Sequence, residues 1–166
     1  MPRGYISLGS NIDKEKNVIS ALDSLATQFG KLKVSSTFES GAIGFSGEPF
    51  YNLIIGFDSD LEVKNVAKIL RQIEEDHGRT RSCKKFSSRT LDLDLILYGH
   101  LVISDGRLQI PRNEIGLYAF VLEPLAEIAP DLKHPVSHKS YAELWHDFDK
   151  SNLEQHRVNK LDTLTK

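Results

Sequence analysis

Residues 79–94 read Arg-Thr-Arg-Ser-Cys-Lys-Lys-Phe-Ser-Ser-Arg-Thr-Leu-Asp-Leu-Asp, so five cations (Arg79, Arg81, Lys84, Lys85 and Arg89) are followed at once by two carboxylates one residue apart. If residues 90–98 form a strand, Leu91, Leu93, Leu95 and Leu97 face one way. Asp92 and Asp94 then face the other, roughly 7 Å apart at their Cα atoms. Two hard oxygen ligands beside a cationic loop suit Mg²⁺ held with a polyphosphate, because Mg²⁺ takes one or two carboxylates and completes its shell with phosphate oxygens and water. The arginines would neutralise the remaining phosphate charge through forked hydrogen bonds. Spacing alone leaves a second reading equally open, in which the basic loop is solvated surface and Asp-x-Asp is an exposed strand face. The metal–phosphate reading gains from the fact that Asp is disfavoured in strands and that two like charges on one face repel, so the arrangement calls for a counter-ion.

The elements around this strand are legible in outline. Tyr5 begins a short strand that runs into the turn Gly9-Ser10-Asn11, after which Val18, Leu22, Leu25 and Phe29 recur at helical spacing and Gly30 supplies a stop. Residues 32–40 and 50–57 read as two further strands, separated by a glycine-punctuated segment. Residues 61–76 carry Val66, Ile69, Leu70 and Ile73 on one helical face, with Gly78 past the end, and lead into the basic loop. The order βαββαβ is that of an α+β ferredoxin-like sandwich, whose antiparallel sheet has two helices on one face and needs a partner for the other. Residues 101–104 and 107–110, joined by Asp105-Gly106, read as an added hairpin. Residues 117–130 and 140–147 read as C-terminal helical pieces. Residues 151–166 are polar with scattered leucines and are expected to be a loosely packed tail of one domain spanning 1–166.

A chain of 166 residues with a formal net charge of −2 is long enough to bury a core around a cleft, and its near-neutral balance argues against broad nucleic-acid binding. The local excess of cations in residues 79–89 points instead to one small anionic ligand. No apolar stretch reaches the length of a signal-peptide core or a membrane span, so a cytoplasmic, monomeric protein without membrane or nucleic-acid partners is expected. The single Cys83 permits no internal disulfide and is read as incidental. There is neither a P-loop nor a Gly-x-Gly-x-x-Gly fingerprint, so phosphate binding must come from side chains. His134 and His138 lack accompanying ligands and are read as surface residues rather than a zinc site.

Taken together, Gly9-Ser10-Asn11, Phe50-Tyr51-Asn52, Gly78-Arg-Thr-Arg81, Arg89-Thr-Leu-Asp-Leu-Asp94 and the run Phe-Val-Leu-Glu-Pro-Leu-Ala-Glu-Ile-Ala-Pro from Phe120 resemble the 6-hydroxymethyl-7,8-dihydropterin pyrophosphokinases of folate biosynthesis, over residues 4 to about 147. The resemblance implies a ferredoxin-like fold and transfer of pyrophosphate from ATP to the pterin hydroxymethyl group, with release of AMP and two Mg²⁺ ions between the substrates. It implies that Asp92 and Asp94 are the metal ligands and that Arg81, Lys85 and Arg89 hold the ATP phosphates. Asn52 would then bind the pterin edge, Phe120 would stack on its ring, and the backbone near Ile43 and Gly44 would complete the pocket. Phe50 falls where the family usually has another aromatic, which implies a sandwich of Phe50 and Phe120 around the pterin; without the resemblance both would read as ordinary core. Asp94 is also a candidate to orient the attacking hydroxyl, and Arg81 and Arg89 to stabilise the transferring group.

The chain departs from the family pattern on the ATP side. Phe86-Ser87-Ser88 stands where Trp-Gly-Pro is usual, Arg112 where a histidine follows the proline, and Tyr118 where an arginine precedes the aromatic. Arg112 replaces one cation with another and is counted among the ATP-binding residues, whereas Tyr118 removes one. The alternative to an active enzyme is therefore a pterin- or nucleotide-binding paralogue with weak or altered catalysis.

Overall fold

The computed structural model describes residues 2–40, 49–78, 91–151, 153 and 155–158. Strand β1 (Arg3–Ser10) is central, antiparallel on one side to β4 (Phe50–Asp58), from Arg3↔Asp58 to Ser10↔Tyr51, and on the other to β5 (Asp92–Tyr98). Two short strands, β2 (Lys33–Val34) and β3 (Phe38–Ser40), share the far edge of β4. The path β5-β1-β4-β3 is the ferredoxin-like order that βαββαβ implies. The sequence reads as one strand over residues 32–40, but the chain breaks it at Ser35. The Ser35 N–H donates to the Ile54 carbonyl at 2.9 Å, while its Oγ, in place of a strand carbonyl, accepts from the Ile54 N–H at 2.8 Å.

Helices α1 (Lys14–Phe29) and α2 (Val63–Asp76) cover one face of the sheet. Val18, Ala21 and Leu25 of α1 and Val66, Leu70 and Ile73 of α2 bury against Ile6, Leu8, Leu53, Ile55, Leu91, Leu93 and Leu95. The apolar residues recur at the 3.6-residue period in the helices and at the two-residue period in the strands, and burial of these stripes is the main stabilising term.

The opposite face is partnered by C-terminal helices, α3 (Glu114–Leu117), α4 (Ala119–Ile128) and α5 (Tyr141–Asp147). Val121, Leu122, Leu125, Ile128 and Tyr141 pack on Tyr5, Ile54, Ile96 and Leu97. The start of α5 follows from Ser140-x-x-Glu143: the Ser140 Oγ accepts from the Glu143 N–H at 3.1 Å, an N-cap that satisfies an otherwise orphaned donor.

Strict alternation along β5 does not persist. Tyr5 is opposite Leu97 and Ile6 opposite Leu95, leaving Ile96 as an extra residue, a β-bulge. Leu91, Leu93 and Leu95 face α1 and α2 as the pattern predicts, but beyond the bulge the faces exchange: Leu97 joins Ile96 under α4, and Tyr98 turns to the helical side. The added hairpin is present as β6 (Ile103–Asp105) and β7 (Leu108–Ile110), shorter than expected and with its turn one residue later. Asp105 pairs with Leu108, so the two-residue loop is Gly106-Arg107, with Gly106 at φ +61°, the left-handed geometry that tight hairpin turns require. The expectation of a loose tail also fails in part: β8 (His156–Arg157) pairs with β3 as the outermost strand described. No helix among the described residues is long and apolar enough to cross a membrane.

Candidate functional site

Pairing register brings residues distant in sequence into one row across the sheet. Asp92 of β5 is opposite Gly9 of β1, Gly9 is opposite Asn52 of β4, and Asn52 is opposite Phe38 of β3; in the next row Asp94, Ser7 and Ile54 align. Because Leu91, Leu93 and Leu95 are buried toward α1 and α2, the two-residue period places Asp92 and Asp94 on the other face. Tyr51 and Leu53 likewise face the helices, so Asn52 and Phe50 share the face of the aspartates. Gly9 leaves bare backbone between them. A Cβ there would stand 3.3 Å from Asn52 Oδ1 and 3.7 Å from Phe50 Cδ1.

Asn52 is only 5% exposed, and its amide is oriented by Nδ2 donating to Ser40 Oγ at 2.7 Å. Phe120 sits in the first turn of α4, half-buried beside the second core, with its ring stacked on Tyr118 at a centroid separation of 4.9 Å and 15° between planes. Tyr118 therefore stands against the aromatic expected to hold the pterin, where the family pattern would place a cation.

Behind Asp94 opens a cleft of about 570 Å³, walled by Arg71 and Glu74 of α2, Leu93, Asp94 and Leu95 of β5, Arg107 and Gln109 of the hairpin, and Arg112. Arg112 is anchored: its Nη2 and Nε donate to Glu114 Oε2 at 2.6 and 2.9 Å. Burial opposes its charge, but the Glu114 hydrogen bond and the carboxylates of Asp94, Glu114 and Asp92 outweigh it and hold the guanidinium above the ordinary arginine pKa. Both aspartates thus act electrostatically on Arg112, which places a fixed cation in the field of the acidic pair.

Glu74 was not among the expected site residues, yet it supports the acidic pair directly. Only 8% exposed, it accepts the Leu93 N–H at 2.8 Å through Oε2, tying α2 to the backbone unit between Asp92 and Asp94. Its sequence signal is a carboxylate on an apolar stripe, four residues after Leu70 and one after Ile73. Arg107 and Arg71 were also missed; a cation in a two-residue hairpin turn and one on a helix surface read locally as solvated. Of the other expected residues, Ile43, Gly44, Arg81, Lys85 and Arg89 lie outside the described residues, as do Phe86, Ser87 and Ser88. His134, read as a surface residue, is half-buried, and its Nδ1 accepts from the Val136 and Ser137 N–H groups at 3.1 and 3.3 Å, which closes its own turn.

The sequence matches the family model described as 7,8-dihydro-6-hydroxymethylpterin-pyrophosphokinase (HPPK) over residues 5–130. A 2-amino-4-hydroxy-6-hydroxymethyldihydropteridine pyrophosphokinase of Pseudomonas aeruginosa is 35% identical over 137 residues, 80% of this chain and 84% of that protein. The enzyme of the same name from Haemophilus influenzae is 34% identical over 141 residues, covering 82% and 88%. Folic acid synthesis protein fol1 of Pneumocystis carinii is 36% identical over 83% of this chain, which spans only 19% of that longer protein. Among solved structures, an HPPK-DHPS in complex with substrates superposes with a TM-score of 0.69 at 11% identity, over 87% of this chain and 43% of its own. Plasmodium falciparum HPPK-DHPS with pteroate gives 0.69 at 12%, over 87% and 42%, and at such identities the likeness speaks for the fold. The extent of the family match, the near full-length relatives and the shared fold agree: the chain belongs to the 7,8-dihydro-6-hydroxymethylpterin-pyrophosphokinase family.

Proposed function

We propose that the protein transfers pyrophosphate from ATP to the hydroxymethyl group of 6-hydroxymethyl-7,8-dihydropterin, releasing AMP. The observation that carries this reading is the row Asp92, Gly9 and Asn52 on one sheet face: an acidic pair and a buried amide separated by bare backbone. A flat heterocycle fits against such a floor. The Asn52 amide offers both a donor and an acceptor to its edge, and the Phe50 and Phe120 rings offer apolar contact to its faces. Ile43 and Gly44 are proposed to complete that pocket.

The donor set fits Mg²⁺: two hard carboxylates on one rigid strand, and among the described residues no group of three or more His, Cys, Asp or Glu that would suit a softer or more fully caged metal. Asp92 and Asp94 are the residues that would hold it, two ions being the family expectation. When bound, the metal supplies positive charge to the polyphosphate oxygens. The cleft beyond Asp94 receives the nucleotide, with Arg112 a fixed cation on its wall, Arg71 and Arg107 on its rim, and Arg81, Lys85 and Arg89 the proposed phosphate ligands of the basic loop.

The chemistry needs alignment more than covalent participation. The pterin hydroxyl oxygen attacks the β-phosphorus; an O–P bond forms, the bond from the β-phosphorus to the α–β bridging oxygen breaks, AMP departs with that oxygen, and the hydroxyl proton passes to solvent. Asn52 and the aromatic rings fix the acceptor, the arginines spread the developing charge, and Asp94 orients the attacking hydroxyl. Incubation with ATP, Mg²⁺ and the pterin alcohol, with nucleotides resolved by chromatography, should give AMP in step with loss of the alcohol. Asp92→Ala and Asp94→Ala should each abolish it while pterin binding persists. Near-normal turnover in either variant would remove the metal-ligand assignment. Pterin binding without AMP from the unaltered protein would favour a binding paralogue, consistent with Tyr118 standing beside Phe120.

A further inference from the structure

Residues 155–158 reach both halves of the proposed pterin pocket. On one side, His156 and Arg157 pair with Glu39 and Phe38, and the Val158 N–H donates to the Thr37 carbonyl at 2.7 Å. This covers the outer edge of β3, the three-residue strand whose last member, Ser40, orients the Asn52 amide. On the other side, Gln155 Nε2 donates to the Ala119 carbonyl at 3.1 Å and to Glu123 Oε1 at 2.8 Å, on the turn of α4 that carries Phe120. Pro124 has no N–H, so the Phe120 carbonyl four residues earlier is deprived of its helical donor. That turn thus has one helical hydrogen bond fewer than its length allows, and Gln155 ties it down at the carbonyl next to the orphaned one.

A third tie joins the two sides. Arg157 Nη2 donates to Glu127 Oε2 of α4 at 2.9 Å, while Glu127 Oε1 accepts the Ser36 N–H at 2.6 Å in the break between β2 and β3. The Arg157 guanidinium also lies 5.7 Å from the Phe38 ring centroid, opposite Asn52 in the sheet, and Val158 packs on the main core. An isolated three-residue edge strand gains little from its own pairing, so an outer strand bonded to both β3 and α4 fixes their separation.

We propose that residues 155–158 are a positioning clamp that sets the distance between Asn52 and Phe120, and thereby the fit of the pterin. The proposal rests on the pocket assigned above. Its test compares three full-length variants with the parent: Gln155→Ala with Arg157→Ala, Gln155→Ala alone, and Asn52→Ala, each followed by KM for pterin and for ATP, kcat, and a thermal melt. The double variant should raise the pterin KM roughly tenfold, the scale of one or two misplaced hydrogen bonds, with the ATP KM and kcat within about twofold of the parent. Gln155→Ala alone, which leaves the strand pairing intact, should move the pterin KM in the same direction with the ATP KM unchanged and a smaller fall in melting temperature than the double variant. If Asn52→Ala weakens pterin binding but both clamp variants leave it unchanged, the clamp is overturned and the pocket stands. A parallel rise of both KM values with a lower melting temperature would reduce the segment to general stabilisation and overturn the clamp. If Asn52→Ala itself leaves the pterin KM unchanged, the pocket assignment fails and takes the clamp with it.

Discussion

Gly9→Ala should separate stability from function. Gly9 is not among the residues at positive φ, so alanine fits its backbone, and the gain of about 0.4–1 kcal/mol from reducing the freedom of the unfolded chain is set against the cost of moving Asn52. The new methyl would meet Asn52 Oδ1 at 3.3 Å, tighter than an ordinary carbon–oxygen contact, so the amide must yield by a few tenths of an ångström against its 2.7 Å bond to Ser40. It would also stand on the floor against which a heterocycle is proposed to lie. The Asn52 amide can make one donor and one acceptor bond to such an edge, each with a net value of about 0.5–1.5 kcal/mol, so displacing it costs about 1–3 kcal/mol of binding. That corresponds to roughly a five- to 150-fold weaker pterin affinity. Pterin fluorescence titration gives the affinity and urea denaturation the stability. A variant at least as stable as the parent that binds pterin within about twofold of it would refute the placement of the ligand over Gly9.

Glu74→Ala should destabilise by about 1–3 kcal/mol in urea, because it leaves the buried Leu93 N–H without its side-chain acceptor, and Glu74→Gln should restore part of the loss by keeping a carbonyl oxygen; a loss under about 0.5 kcal/mol for alanine would discount the tie. Burial and the charge of His138 hold the His134 pKa below its usual value, so its unfolded form binds the proton more readily. Its contribution is then complete above the ordinary histidine range and is lost as pH falls through the depressed folded value, so His134→Gln should flatten the decline in stability between about pH 7.5 and 5, as read by urea midpoints. The Tyr141 hydroxyl is buried with no hydrogen-bond partner among the described residues, and burial pushes its pKa upward. Tyr141→Phe should therefore leave the melting temperature unchanged or raise it; a loss above about 1 kcal/mol would reveal a partner for that oxygen.

The parts legible in the sequence were those set by local period. Leu91, Leu93 and Leu95 alternate with Asp92 and Asp94, and Val66, Leu70 and Ile73 mark a helical stripe, so the strand, the helix and an acidic pair on the face away from the helices follow without tertiary information. The bulge at Ile96 leaves no trace, because an extra isoleucine in an apolar run changes neither composition nor propensity. The break at Ser35 is similarly silent, since a hydroxyl that replaces a backbone acceptor sits in a stretch that otherwise suits a strand. Short strands such as His156–Arg157 owe their existence to a partner more than a hundred residues away, and polar residues carry no periodic signal of that pairing. The site followed the same division. Asp92, Asp94 and Asn52 could be named from motifs, but their alignment through Gly9 is a property of register, which only the assembled sheet defines.

The bulge at Ile96 gives β5 two different environments along a single strand. Before it, the face away from α1 and α2 carries acid; after it, the same face carries Ile96 and Leu97 into the apolar layer beneath α4. An uninterrupted alternation would have sent Leu97 to the helical side and Tyr98 toward α4. Instead Tyr98 turns back, and its hydroxyl donates to the Leu61 carbonyl in the connection that leads into α2. The one-residue slip is thus a watershed: it draws the line at which the polar basin ends and the dry foundation of α4 begins. A lineage can remodel chemistry on the Asp92–Asp94 side without repacking the layer that supports Phe120, because the two are insulated from each other by a step in the backbone itself.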